Sequence, residues 1–68
     1  MNVGAEYSFN YASESGILFE ERQVLFTGLT INVEKAQVYI RGLDVNKKQY
    51  RTFRIDRVDL QSVKHVRG

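Results

Sequence analysis

The most informative stretch of the chain reads Gln37-Val38-Tyr39-Ile40-Arg41-Gly42-Leu43-Asp44, then Val45-Asn46-Lys47-Lys48, then Gln49-Tyr50-Arg51-Thr52-Phe53-Arg54-Ile55. Val38, Ile40 and Gly42 alternate with Tyr39, Arg41 and Leu43, and Phe53 and Ile55 alternate with Tyr50, Thr52 and Arg54. A period of two puts successive side chains on opposite faces, the pattern of a half-buried strand. Val45 to Lys48 reads as a tight turn, with Asn46 the residue expected to take positive φ. A two-residue loop at Asn46-Lys47 and a four-residue loop over 45–48 imply one register. Ile40 then faces Phe53 and Val38 faces Ile55 on an apolar side. Tyr39 faces Arg54, Arg41 faces Thr52 and Leu43 faces Tyr50 on the other. A slip of one residue would mix the faces, so pattern and turn chemistry agree. Arg51 has inward parity, and its exposure depends on the room left opposite it by Gly42.

The rest of the chain continues in strands. Val3, Ala5, Tyr7, Phe9 and Tyr11 alternate with Gly4, Glu6, Ser8 and Asn10, and Ser13 to Gly16 reads as a turn. Ile17 to Thr27 is a second strand whose polar middle, Glu20 to Gln23, marks a bulge or an edge. Gly28 separates it from the short run Leu29 to Val33, and Glu34-Lys35 make a turn. Asp56-Arg57-Val58 reads as a corner. A last strand covers Leu60 to Val66, with apolar positions spaced by three rather than two. No helix, repeat or low-complexity segment stands out. Short strands with brief turns in 68 residues predict an all-β domain over 1–68, a small five-stranded barrel of the SH3-like or Sm-like type. Such a barrel removes exposed edges and needs only one thin core.

Size and composition narrow the function. A chain this short buries roughly 60% of its unfolded surface, so stability is marginal, and oligomerisation is a common remedy. A homo-oligomer therefore stays open. There is no cysteine, which excludes disulfides, thiolate chemistry and a Cys-ligated zinc site. No stretch approaches the ~20 apolar residues that span a bilayer, and Met1 to Glu6 lacks the regions of a signal peptide. The expectation is a cytoplasmic protein without a membrane partner. Residues 1–40 carry Glu6, Glu14, Glu20, Glu21 and Glu34 against Arg22 and Lys35, a balance of −3. Residues 41–68 carry eight Lys or Arg against Asp44, Asp56 and Asp59, a balance of +5. The asymmetry points the second half toward an anionic partner, although complementary halves also serve solubility.

Candidate binding chemistry sits on the outward face of the hairpin. A guanidinium beside an aromatic ring can stack and still offer its donors to phosphate or carboxylate, which suits Tyr39, Arg54 and Arg41. Arg51 and Arg57 lie close in sequence, Arg57 at the corner. Interleaved basic and aromatic residues on a β-surface are what single-stranded DNA or RNA requires, because bases stack and phosphates pair. An ordinary cross-strand Tyr39–Arg54 pair, contributing about 0.2–1 kcal/mol to the sheet, explains the same residues without a ligand.

Val38 to Asp44 followed by Tyr50 to Val58 resembles the WYL domain. Val38-Tyr39-Ile40 matches the Trp-Tyr-Leu run that names the family, and Arg51-Thr52-Phe53-Arg54-Ile55-Asp56-Arg57-Val58 matches its Arg-Thr-Phe-Arg-Leu-Asp-Arg-Ile signature with conservative exchanges. Tyr11, the Ser-Gly turn and Glu21-Arg22 are compatible with the same domain's first hairpin. Val38 replaces the naming Trp, and the chain has no proline. The resemblance implies an Sm-like SH3 β-barrel that senses a ligand or binds nucleic acid, as in bacterial transcription regulators and phage-defence proteins. It assigns the ligand contacts to Tyr39, Arg54 and Arg57, with Arg51 opening the signature. Members usually carry a preceding winged helix-turn-helix, for which 68 residues have no room. A free-standing effector-binding module or a subunit of a larger assembly is expected.

Catalysis is not expected. His65 is the only histidine, and Asp56 between two arginines suits orienting them better than acting as a base. Glu20 and Glu21 are adjacent in a strand and face opposite sides. No phosphate loop, catalytic triad or metal-ligand spacing is present, so neither cofactor nor metal is expected. Two functions follow: a non-enzymatic module binding an anionic ligand (single-stranded nucleic acid or a nucleotide) through Tyr39, Arg41, Arg51, Arg54 and Arg57, or an interaction module docking that face on an acidic protein partner.

Overall fold

A computed structural model describes all residues, 1–68. Its strands are β1 (Glu6–Ala12), β2 (Phe19–Asn32), β3 (Gln37–Asp44), β4 (Gln49–Arg54) and β5 (Val58–Arg67), with one 3₁₀ turn, Ile55–Arg57, between β4 and β5. They form a single antiparallel sheet in the order β4-β3-β2-β1-β5. The chain meanders through four strands and returns across the 3₁₀ corner to pair β5 with β1, the all-β, SH3-like order. The two edge strands, β4 and β5, share no ladder. The sheet instead curls through side chains. Phe53 of β4 meets Phe9 and Tyr11 of β1 edge-on, ring centroids 5.5 and 5.1 Å away, and the Arg54 amide donates to the Tyr11 hydroxyl at 2.9 Å. Ala5, Tyr7, Phe9, Val24, Phe26, Ile40, Phe53 and Val58 form the core between these walls.

The β3–β4 register is the one predicted: Tyr39 pairs with Arg54, Ile40 with Phe53, Arg41 with Thr52, Gly42 with Arg51 and Leu43 with Tyr50. Two details differ. Ile55 does not pair with Val38, because β4 ends at Arg54 and Ile55 starts the 3₁₀ turn. Asn46 is not the residue with positive φ; Lys48 is, at 54°. The Asp44 side chain accepts the Lys47 amide at 3.1 Å and its carbonyl accepts the Lys48 amide at 2.7 Å, so all four residues form the loop and the last one closes it. The β2–β3 turn repeats the device. Asn32 Oδ1 accepts the Lys35 amide at 3.1 Å, and Ala36 has φ 51°.

The polar middle of β2, Glu20 to Gln23, holds no bulge, since it pairs with Tyr11 to Ser8 in unbroken register; the bulges lie elsewhere. β2 and β3 slip register between Phe26 and Gly28, which hands the inner face from Val24 and Phe26 to Leu29 and Ile31. That is why Gly28 interrupts an alternation without ending the strand. β1 and β5 slip between Ser8, which faces Lys64, and Asn10, which faces Asp59. Residues 60–63 of β5 form a bow opposite Phe9, with Val63 packed against the core, and are held by Ser62, whose hydroxyl accepts the Asn10 amide and donates to the Asp59 carbonyl. The three-residue spacing of Leu60 and Val63 reflects this bow, and Val66 falls at a second slip, where Glu6 faces Arg67 but Tyr7 faces His65. Gly42 is buried, and a Cβ there would lie 2.3 Å from Val24 Cγ1 and 2.5 Å from the Leu25 carbonyl oxygen. Glycine thus lets β3 press against β2.

Candidate functional site

Arg41, Arg51 and Lys47 line one open depression of 750 Å³ on the β3–β4 hairpin, together with Tyr50 and Thr52 and with Thr27 from the β2 bulge. Each is positioned by an element already described. Arg41 leaves the outer face of β3, and its guanidinium lies over Gly28, where an added Cβ would approach Nη2 to 3.0 Å. Lys47 stands in the hairpin turn. Arg51 is on the edge strand β4, half-buried. The space opposite it at Gly42 is taken by Val24 and Leu25 rather than left free, so Arg51 owes its access to the open flank of β4. No carboxylate pairs with these three cations; the ion pairs of the molecule belong to Arg22, Arg54 and Arg67. Tyr50 is 76% exposed beside them.

Tyr39, Arg54 and Arg57 lie outside this depression. Tyr39 is the cross-strand partner of Arg54, half-buried, with its hydroxyl donating to Gln37 Oε1 at 2.7 Å. Arg54 grips Asp56 with both arms of its fork, Nε to Oδ1 at 3.1 Å and Nη2 to Oδ2 at 2.7 Å. That bond holds the Arg54 guanidinium above its ordinary pKa, and it holds the Asp56 carboxyl below its own. Arg57 turns inward at the corner. Its Nε and Nη2 both donate to the Ala12 carbonyl, at 3.0 and 2.7 Å, and its guanidinium carbon lies 4.7 Å from the Tyr11 ring centroid. The five singled-out residues therefore divide into an open pair (Arg41 and Arg51), a cross-strand pair with one fork engaged (Tyr39 and Arg54), and a corner clamp (Arg57). Asp56 orients Arg54 as expected, but Arg57 takes its orientation from Ala12.

Tyr50 and Lys47 were not singled out from the sequence. The register did place Tyr50 outward opposite Leu43, and that was the available signal. Lys47 carried none, since a turn lysine is ordinarily solvated. The Arg22–Asp44 pair was also hidden. Arg22 Nη1 lies 3.5 Å from Asp44 Oδ2 and 3.4 Å from Glu20 Oε1, with the Asp44 side chain 2% exposed. It fixes the hairpin turn onto β2 from the core side.

No family model, curated protein or solved structure matches the chain. Fold and site thus define an all-β, five-stranded domain with an SH3-like strand order and an unpaired basic cluster on its third hairpin. No helix is long and apolar enough to cross a membrane.

Proposed function

We propose that this chain is a non-enzymatic binding module that takes single-stranded nucleic acid on its β3–β4 hairpin. One observation carries the reading: Arg41, Arg51 and Lys47 share an open depression with the exposed Tyr50, and none is neutralised by a carboxylate. Cations left unpaired on one surface repel one another and gain from a polyanion, while an exposed ring offers a base a stacking platform worth about 1–3 kcal/mol. The depression is wide and shallow, which suits a strand lying across it better than an enclosed nucleotide. Tyr39 and Arg54 would extend the path along the hairpin once a phosphate competes with Asp56 for the Arg54 fork.

The likeness of Arg51 to Val58 to the WYL signature supports a regulatory role, as an effector-sensing part of a bacterial transcription or phage-defence system in the cytoplasm. Docking on an acidic protein partner is a second reading, favoured by the same openness; it uses the cations but not the stacking.

Fluorescence anisotropy with short single-stranded DNA and RNA tests the proposal. The Arg41→Ala/Arg51→Ala double variant is expected to weaken binding more than tenfold, and Tyr50→Ala to weaken it by about 1–3 kcal/mol. An oligonucleotide affinity that ignores the double variant sinks the reading. Loss of binding with the arginines but none with Tyr50 favours the acidic protein partner.

A further inference from the structure

The inner face of the sheet runs on past the core with nothing covering it. Beyond the β2 bulge, Leu29 pairs with Ile40 and Ile31 with Val38 on the core side of the ladder, yet Leu29 and Ile31 are 54% and 65% exposed. Across the seam between β4 and β5, the bow at residues 60–63 sets Leu60 and Val63 beside Ile55. Met1, Leu29, Ile40, Ile55, Leu60 and Val63 line a recess of 310 Å³ with no polar residue in its wall.

We infer that this recess is the interface for a second copy of the chain. The two copies meet about a two-fold axis, the Leu29–Ile31 arm of each lying across the Ile55/Leu60/Val63 seam of the other. A two-fold contact uses the same patch twice and closes, so it forms a dimer and stops there. Five considerations favour a second copy. The chain exposes 4829 Å², above the about 4,400 Å² that its mass predicts for a monomer. Covering the exposed parts of Met1, Leu29, Ile31, Val33 and Leu60 removes roughly 600 Å² per copy, which brings a pair to the lower bound of stable interfaces, about 1,200 Å². The recess is large enough for aliphatic side chains from a partner's arm, since about 150 Å³ already holds a benzene ring. No charged residue lines it, so filling it desolvates no ion. A thin-cored domain without disulfides gains from such a staple. The basic depression shares no residue with the recess, and the dimer would carry it in two copies.

Sedimentation equilibrium of the full chain, from micromolar to millimolar concentration, is the test. The expected mass rises from 7.9 kDa to twice that value. Ile31→Lys and Leu60→Lys should each weaken association more than tenfold while the circular dichroism spectrum stays native, because both side chains are about two-thirds exposed. Arg41→Ala/Arg51→Ala should leave association unchanged, which separates this interface from the basic face. A mass of 7.9 kDa at every concentration overturns the inference, as does a dimer indifferent to both lysine variants. A chain that stays monomeric but sediments with phosphatidylcholine vesicles would assign the recess to a lipid surface instead.

Discussion

Lys48 and Ala36 close their turns with φ 54° and 51°, in the left-handed region where a Cβ crowds the carbonyl oxygen and costs roughly 1–2 kcal/mol. Both side chains are exposed, and neither lines the basic depression. Lys48→Gly and Ala36→Gly are each expected to raise stability by about 0.5–1 kcal/mol, the strain relieved less the entropy that glycine loses on folding; urea midpoints at unchanged slope would show it. A titratable example is Asp56. The Arg54 fork is the main cause of its lowered pKa, so its folded value lies below the ordinary 3.8. A depressed carboxyl contributes stability that is fully present above the unfolded value and is lost as pH falls through the folded one. The contribution fades in acid, below pH 3.8, and is constant near neutrality. Carbon-detected NMR of the Asp56 carboxyl should give a midpoint that rises toward 3.8 in Arg54→Ala. The raised Arg54 value works in the opposite sense, at alkaline pH beyond any working range. A phosphate that recruits Arg54 must first displace Asp56, so the same titration with bound oligonucleotide reports whether Arg54 joins the site.

Strands β2 and β3 carry the longest pairing in the molecule, and Gly42 governs how closely they approach. A Cβ at 2.3 Å from Val24 Cγ1 can be relieved by moving that side chain, but one at 2.5 Å from the Leu25 carbonyl oxygen presses on backbone. Gly42→Ala should therefore cost about 1–3 kcal/mol, read by thermal or urea unfolding, and should weaken oligonucleotide binding by displacing Arg51, its cross-strand partner. The period-two pattern of 37–55 was enough to place this hairpin in register, because each face had one chemical character. The same reasoning failed at Ile55. Nothing in an alternating sequence says where a strand stops, and here the chain leaves the sheet one residue earlier so that Arg57 can reach the Ala12 carbonyl. The bulges at Thr27 and at 60–63 left visible traces, a glycine and a spacing of three. Their meaning depends on β3 and β1, the strands they slip against.

Across the molecule, the two charge halves are divided within β3: residues 1–40 supply β1, β2 and the first half of β3, and residues 41–68 supply the rest of the β3–β4 hairpin and β5. If the three unpaired cations each neutralise one phosphate, log Kd for single strands should change with log salt with a slope of magnitude about 2, from roughly 0.7 per phosphate. A slope near zero in anisotropy titrations would mean that the cations do not touch the backbone of the strand. Sequence alone determined the all-β class and the β3–β4 register from Tyr39–Arg54 to Leu43–Tyr50, because these follow from local alternation and turn chemistry, which neighbouring residues encode; it did not show that Leu29 to Asn32, read as a separate run after Gly28, continues β2. It also marked Arg41 and Arg51 as candidates. The fold alone separated the five candidate residues. Arg54 and Arg57 look the same as Arg41 and Arg51 in a list of residues, but Asp56 and the Ala12 carbonyl engage the first two and nothing engages the second. Which donors are spent depends on strands brought together from distant parts of the chain, and hydrophobic patterning carries no information about that.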